Sequence, residues 1–371
     1  MVVPCRRQIA PPNLLAGVVS LRKRPEGHHD RRYGLRIVLT GAAGFIGASV
    51  AGELLSRGHN VAALDNFDET YPATFKHARI ERLSLNPRFR FAVGDIRNPA
   101  DVKTVFDPSP DTVVHLAAQG GLRRSIEDPA AFVSCNIGGF TNVIAAAADA
   151  QVRNFVYASS GAVYGGTATL PFREDDPAVW PLSLYGSTKR SDELIAFTYA
   201  RYYGLRCTGL RFFTVYGPDG RPDMAVYNFT KNIYEGSPIQ VHGHGRMVRD
   251  FVYVDDVAHC VVLAVEDRAE FETSRIGEGP ATAVADAPWR VLNVATGKQV
   301  SVLEIVRQVE TAVGHDAEMK FIDALRPEVT ESRADMTALE SALGFVPAVT
   351  IDVGIPRAVS WYLDHLKNQP G

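Results

Sequence analysis

The chain has 371 residues, 46% hydrophobic and 22% charged, enough to bury one large core or two moderate ones, and neither a disordered chain nor a fibre fits that composition. A formal net charge of -3 gives no general electrostatic reason to bind nucleic acid or an anionic membrane. Four scattered cysteines, Cys5, Cys135, Cys207 and Cys260, form no CxxC pair, which implies a reducing, cytoplasmic setting without structural zinc, and no apolar run approaches the length of a bilayer span.

Residues 1–34 stand apart. They carry seven Arg or Lys against two acids, and four prolines, with neither helical nor alternating periodicity. Arg6-Arg7 ahead of apolar residues would suit a secretory leader, but Pro11-Pro12-Asn13 interrupts the run and Leu14 to Leu21 has no clear small-x-small cleavage site. A loose basic extension is expected.

From residue 35 the pattern is regular. Runs rich in Val, Ile and Phe predict strands at Leu35 to Leu39, Val61 to Leu64, Phe89 to Val93, Thr112 to Leu116, Phe155 to Ala158 and Cys207 to Phe213. Helix-like stretches such as Ala48 to Arg57, Phe140 to Ala150 and Ser191 to Tyr203 lie between them. Short apolar strands alternating with helices imply an α/β fold, a doubly wound parallel sheet covered on both faces. After about Tyr216 the rhythm breaks at Gly217-Pro218-Asp219-Gly220-Arg221-Pro222, and short strands are expected at Pro238 to His242, Val291 to Ala295 and Met319 to Ile322, with an exposed loop over Arg268 to Pro288. The expected organisation is a sheet domain over 35–212, to which 250–267 returns, and a smaller ligand-gripping region over 213–371 at the carboxyl edge of the sheet.

The turn after the first strand reads Thr40-Gly41-Ala42-Ala43-Gly44-Phe45-Ile46-Gly47. A phosphate at a helix N-terminus gains from free N–H groups and the helix dipole only if no side chain blocks it. Gly41 permits the tight turn, Gly44 the approach of a pyrophosphate, and Gly47 close helix–strand packing. Asp65, at the end of the second strand, suits the ribose hydroxyls of NAD and would repel the 2′-phosphate of NADP; it also suits a cap on the next turn. Asp95 after the third strand offers a contact to adenine, or a plain turn aspartate.

Tyr185 and Lys189 are four apart and share a helix face if the segment is helical; otherwise unremarkable, this pair also fits an exposed amphipathic helix. An ammonium nearby favours the phenolate, which is what a tyrosine base needs. Ser160, at the end of the fifth strand, is placed to share a substrate hydroxyl's proton with Tyr185. Together they suit reversible oxidation of a secondary alcohol by NAD.

TGAAGFIG (40–47), HLAAQ (115–119), SSGAVYGG (159–166), YGSTK (185–189) and RDFVYVDDV (249–257) resemble the extended short-chain dehydrogenase/reductases, in particular their nucleotide-sugar epimerases and dehydratases. The resemblance runs from residue 35 to nearly the C-terminus. It implies a Rossmann domain holding NAD, a C-terminal region gripping a UDP- or dTDP-sugar, a homodimer paired through two helices per subunit, and Ser160, Tyr185 and Lys189 as catalytic residues. It also implies that Gly41, Gly44, Phe45, Ile46, Gly47, Asp65, Asn66, Asp95, Ile96, Leu116, Ala117 and Ala118 line the NAD site with Tyr185 and Lys189.

Within the family, dehydratases and decarboxylases usually carry an acid directly after the catalytic Ser or Thr, whereas this chain has Gly161-Ala162, which disfavours elimination. Thr214 to Ala225, TVYGPDGRPDMA, is similar to the stretch of UDP-glucuronate 4-epimerases. By that likeness Ser160, Gly161, Thr214 and Arg221 surround the sugar's acid end, although in a Pro/Gly loop an arginine is otherwise a surface residue. Arg249 and Arg326 are implied for the diphosphate, with Glu328 beside it and Gln119, Arg123 and Asn136 at the sugar. His242 and His244 flank a glycine without a third ligand, so no metal is expected. The expected reaction is inversion of C4 of UDP-glucuronate through a 4-keto sugar. Alternatives are a UDP-glucose 4-epimerase, a UDP-glucuronate decarboxylase and a non-catalytic NAD-binding protein.

Overall fold

The structure, a computed structural model, describes residues 34–166, 168–269, 287–323 and 329–367. The expected basic extension, most of the expected 268–288 loop, Cys5, Arg326 and Glu328 therefore lie outside the described residues.

Among the described residues, twelve strands form three sheets. In chain order they are β1 Arg36–Thr40, β2 Asn60–Asp65, β3 Phe89–Val93, β4 Thr112–His115, β5 Asn154–Ser160, β6 Cys207–Phe212, β7 Thr214–Tyr216, β8 Ile239–His242, β9 Val248–Tyr253, β10 Trp289–Val294, β11 Gln299–Ser301 and β12 Met319–Ile322. Seven of them make one parallel sheet ordered β10-β6-β5-β4-β1-β2-β3, a Rossmann-type arrangement whose order reverses between β1 and β4. Its central strands are covered on both faces: every residue of β4 and β6 is buried.

Two hydrophobic layers flank the sheet. Val50, Leu54 and Leu55 of helix Phe45–Ser56 pack on one face with Val257 and Val261 of helix Val254–Glu266. Phe140, Val143 and Ile144 of helix Phe140–Asp149 cover the other face with Ala196 and Ala200. Fully burying each large aliphatic side chain is worth about 1.5–3 kcal/mol, which fixes the helices to the sheet. A third core, built on Phe229, Ile239, Val241, Ile305 and Val359, belongs to the smaller region beside the sheet.

Two expectations need correction. The run expected in the second region at Val291 to Ala295 is β10, and it pairs with β6 in the large sheet, Leu292 opposite Leu210, because its Val291, Leu292 and Val294 are buried there. Pro129–Asp149 continues as one 21-residue helical stretch, long and apolar enough by composition to match a membrane span, contrary to the reading of the sequence. Its apolar face covers the sheet through Phe140, Val143, Ile144 and Ala147, which accounts for the hydropathy.

Candidate functional site

A cleft of about 420 Å³ opens at the carboxyl edge of the large sheet, where the strand order reverses. One wall is the turn from β1 into helix Phe45–Ser56. Gly41 has φ 76°, and a Cβ there would stand 2.6 Å from the backbone nitrogen of Ala117. A Cβ on Gly47 would stand 2.0 Å from the Gly41 carbonyl oxygen, so helix and turn touch backbone to backbone. Gly44 caps the helix without a side-chain acceptor, so the first-turn N–H groups face the cleft uncapped. That cradle, open only because side chains are missing, fits a pyrophosphate.

Asp65 does two things at once. Its Oδ2 accepts from the Ala43 N–H at 3.0 Å and its Oδ1 from the Phe67 N–H at 2.9 Å, so it holds the glycine turn and caps its own loop. Burial pushes its carboxyl up despite those bonds. The rest of the cofactor wall, Phe45, Ile46, Asn66, Ile96, Leu116, Ala117 and Ala118, also lines the cleft, and these residues fit NAD. Asp95 does not line it: Arg97 chelates its carboxylate and Asn66 donates to it, and the hydrogen bonds from Arg97 hold it down at about 2.

A second wall is built by helix Leu184–Tyr203 against β5. Ser183 caps the helix by accepting from the Gly186 N–H at 3.0 Å, which puts Tyr185 in the first turn and Lys189 one turn on. Beneath them Ser159 donates to Glu193 at 2.6 Å, and Arg211 grips the same carboxylate through Nε at 2.8 Å and Nη2 at 3.0 Å. This buried network ties the strand bearing Ser160 to the helix bearing Tyr185. Ser160, Tyr185 and Lys189 all line the cleft. The Ser160 Oγ accepts from the Ala162 N–H at 3.1 Å, which leaves its proton directed elsewhere. Gly161 follows it, with the ring of Phe213 at 3.3 Å from where a Cβ would be, so a larger residue there would have to push that ring aside.

The loop after β7 lines the cleft as well. Thr214 and Arg221 line the cleft, so Arg221 is no stray surface arginine. Asp223 holds its guanidinium at 3.0 and 2.6 Å, the Tyr71 ring lies beneath it, and Nη1 reaches Gly120.

Other expected contacts fall elsewhere. Asn136 is buried and turned inward: its Oδ1 accepts from the Gln119 N–H at 2.7 Å, and its Nδ2 donates to the Gln119 carbonyl at 3.0 Å and to Thr188 at 2.9 Å. It sits on a π-helical turn, Val133–Gly139, and its part is to position Gln119 and the Tyr185 helix. Gln119 itself lines the cleft. Arg123 points to His242 at 2.9 Å, and Arg249 donates to the carbonyls of Val248 and Thr330, so neither lines the cleft. Among the described residues no group of His, Cys, Asp and Glu is arranged to hold a metal.

Sequence reasoning passed over Asp68, Thr70, Tyr71, Lys76 and Met224, which also line the cleft. It also missed Arg79, fully buried and clasped to the Ala43 carbonyl at 3.0 Å, the Tyr71 hydroxyl at 2.8 Å and the Asp219 carboxylate at 3.0 Å, which ties the glycine turn to the loop bearing Arg221. The signal was there: Lys76 and Arg79 fall on the same stripe of helix Ala73–Ser84 as Ile80 and Leu83, where a purely structural helix would bury only apolar groups.

The family model described as NAD dependent epimerase/dehydratase family matches residues 37–277. Among curated relatives, protein CapI of Staphylococcus aureus is 39% identical over 334 residues, covering 90% of this chain and 100% of that protein. The UDP-glucuronate 4-epimerase of Thermodesulfobacterium geofontis is 34% identical over 332 residues, 89% of this chain and 97% of its own. Among solved structures, the UDP-glucuronic acid 4-epimerase from Bacillus cereus in complex with UDP-glucuronic acid and NAD aligns with a TM-score of 0.80 and 31% identity, covering 89% of this chain and 100% of that one. With a glycine cradle, the half-buried Asp65 and Ser160, Tyr185 and Lys189 in one cleft, the chain belongs to the NAD-dependent epimerase/dehydratase family.

Proposed function

We propose that the protein is a nucleotide-sugar epimerase that inverts C4 of UDP-glucuronate to give UDP-galacturonate through a transient 4-keto sugar. The observation that carries this reading is the placement of Arg221 and Thr214 in the same cleft as Ser160, Tyr185 and Lys189. Bound NAD supplies a hydride acceptor and donor for C4. Tyr185 takes the C4 hydroxyl proton, the Ser160 hydroxyl bonds the same oxygen, and the Lys189 ammonium favours the phenolate. The keto sugar then turns about its diphosphate linkage, so that C4 regains the hydride on its opposite face, and Tyr185 returns the proton to the C4 oxygen.

For a uronic acid the intermediate is a β-keto acid, which loses CO₂ when the carboxylate bond lines up with the carbonyl π-system. Arg221, held in the plane set by Asp223, is suited to fix the carboxylate out of that alignment, and Gly161-Ala162 brings no acid to assist further chemistry. Homodimerisation through the helical stretch Pro129–Asp149 and helix Leu184–Tyr203 belongs to the same reading; Val133 and Leu194, exposed on those elements, support it. A cytoplasmic setting is likewise proposed, in keeping with the free thiols of Cys135, Cys207 and Cys260.

Purified protein incubated separately with UDP-glucuronate and UDP-glucose, with products resolved by NMR, tests the substrate. UDP-galacturonate is the expected product. Turnover of the neutral sugar alone overturns the choice of substrate, and a UDP-pentose product replaces epimerisation by decarboxylation. Arg221→Met is expected to lower kcat/KM for UDP-glucuronate about 10- to 100-fold, the size of one lost charge-assisted contact, and to leave UDP-glucose turnover within about threefold.

A further inference from the structure

Lys189 is only 2% exposed, and a carboxylate, Asp192, fully buried on the next turn of the same helix, accepts from its Nζ at 3.0 Å. The second oxygen of that carboxylate, Oδ1, is buried with no hydrogen-bond partner among the described residues. A structural ion pair would satisfy both oxygens; Glu193, one residue on, has both of its oxygens bonded to Ser159, Arg190 and Arg211. Asp192 is thus spent on a single partner, the ammonium that Tyr185 depends on.

We propose that Asp192 is a positioning residue that keeps the buried Lys189 charged while screening its field at Tyr185, and so sets the pH range in which Tyr185 works as a base. This rests on Tyr185 being the base of the proposed reaction. A buried ammonium without a counter-ion tends to lose its proton, and an opposite charge beside it restores the charged form. Burial works to lower Lys189, but Asp192 and Tyr185 outweigh it and the group is raised. The carboxyl of Asp192 is itself pushed up to about 7 by burial, against the pull of Lys189. The pair therefore changes charge near neutrality.

The remaining charged or titratable groups facing this pair do not replace it. His115, from β4, is driven down to about 3 by burial and then by Lys189, and is neutral in the working range. Cys135, from the π-helical turn, is pushed up to about 11 by burial and is a neutral thiol. The Tyr157 phenol of β5 is raised well above its ordinary value by burial and stays protonated. Glu193 is neutralised by Arg211 and Arg190. Arg221 faces Tyr185 from the substrate loop and carries its charge at every working pH. Among the described residues, Asp192 is the carboxylate bonded to Lys189.

The sign follows. Asp192→Asn removes the counter-ion, so Lys189 loses its proton at lower pH and the alkaline limb of kcat/KM moves down; while Lys189 stays charged, its unscreened field favours the phenolate and the acid limb moves down too. A displacement of about one pH unit is expected in both limbs, the size of the effect of one neighbouring charge, with NAD content unchanged and with Asp192→Glu returning the profile to that of the wild type. A fall in kcat by one factor at every pH, with both limbs in place, makes Asp192 merely structural and overturns the proposal. NMR of ¹³C-tyrosine-labelled wild-type protein gives a second reading that requires neither an Asp192 variant to fold nor any turnover. The Tyr185 signal, assigned by its loss in Tyr185→Phe, is expected to shift in a step near neutrality as Asp192 titrates; a signal flat through that range overturns the coupling. Absence of turnover on any UDP-sugar would instead refute the assigned reaction, and the NMR step would still report on the pair.

Discussion

Tyr185→Phe is expected to lower turnover about 100- to 10,000-fold while leaving fold and NAD content intact. The substitution removes one oxygen from a ring already fixed by its neighbours: Phe132 meets it edge-on with ring centroids 6.3 Å apart, and its backbone lies in the first turn capped by Ser183. Among the described residues no hydrogen bond anchors the hydroxyl. The loss therefore falls on the chemical step, and KM should change much less than kcat. Product formation followed by NMR, together with the NAD released on denaturation, separates the two effects. Full activity in this variant would remove Tyr185 as the base, and with it the reading of the whole catalytic wall.

Gly47→Ala is expected to yield protein that purifies without NAD and unfolds at lower temperature. The added Cβ would lie 2.0 Å from the Gly41 carbonyl oxygen and 3.0 Å from the Ala42 Cα, and both neighbours are backbone. The helix must back away from the turn, an overpacking cost of about 1–3 kcal/mol, and the N–H groups of the phosphate cradle move with it. Gly52→Ala on the same helix is the control, since a Cβ there meets nothing within 4 Å. It should be neutral or stabilising by up to about 1 kcal/mol through helix propensity. Calorimetry and NAD released by acid read both outcomes. If Gly47→Ala kept full NAD occupancy, close helix–strand contact would not be what the third glycine serves.

Much of this was legible along the chain because it is local. The strand runs ending at Thr40, Asp65 and Ser160 and the glycine spacing at 41, 44 and 47 are patterns of two to four residues, and local backbone sterics and hydrophobic periodicity act on that scale. The pair at Tyr185 and Lys189 is one helical turn, so its common face follows from helix geometry alone. Residues whose job depends on a distant partner were not legible. Asn136 was expected near the sugar, yet its side chain is used entirely by Gln119 and Thr188, from two other elements. Arg79 could be seen as an odd charge on an apolar stripe, but not as a clasp to Asp219, 140 positions away. The membrane-length run at Pro129–Asp149 shows the same limit, since its burial depends on the sheet beneath it.

By itself the sequence determined the doubly wound sheet, the glycine turn and the shared helix face of Tyr185 and Lys189, since each is written in short-range spacing that every chain must obey locally. Only the tertiary structure decided that Arg221 faces the cleft rather than solvent, that β10 joins the large sheet, and that Asp192 spends its carboxylate on Lys189. Those outcomes depend on burial. Whether a charge or an apolar strand gains or loses by its position is set by the desolvation and packing that distant segments impose, and no window of the sequence contains them.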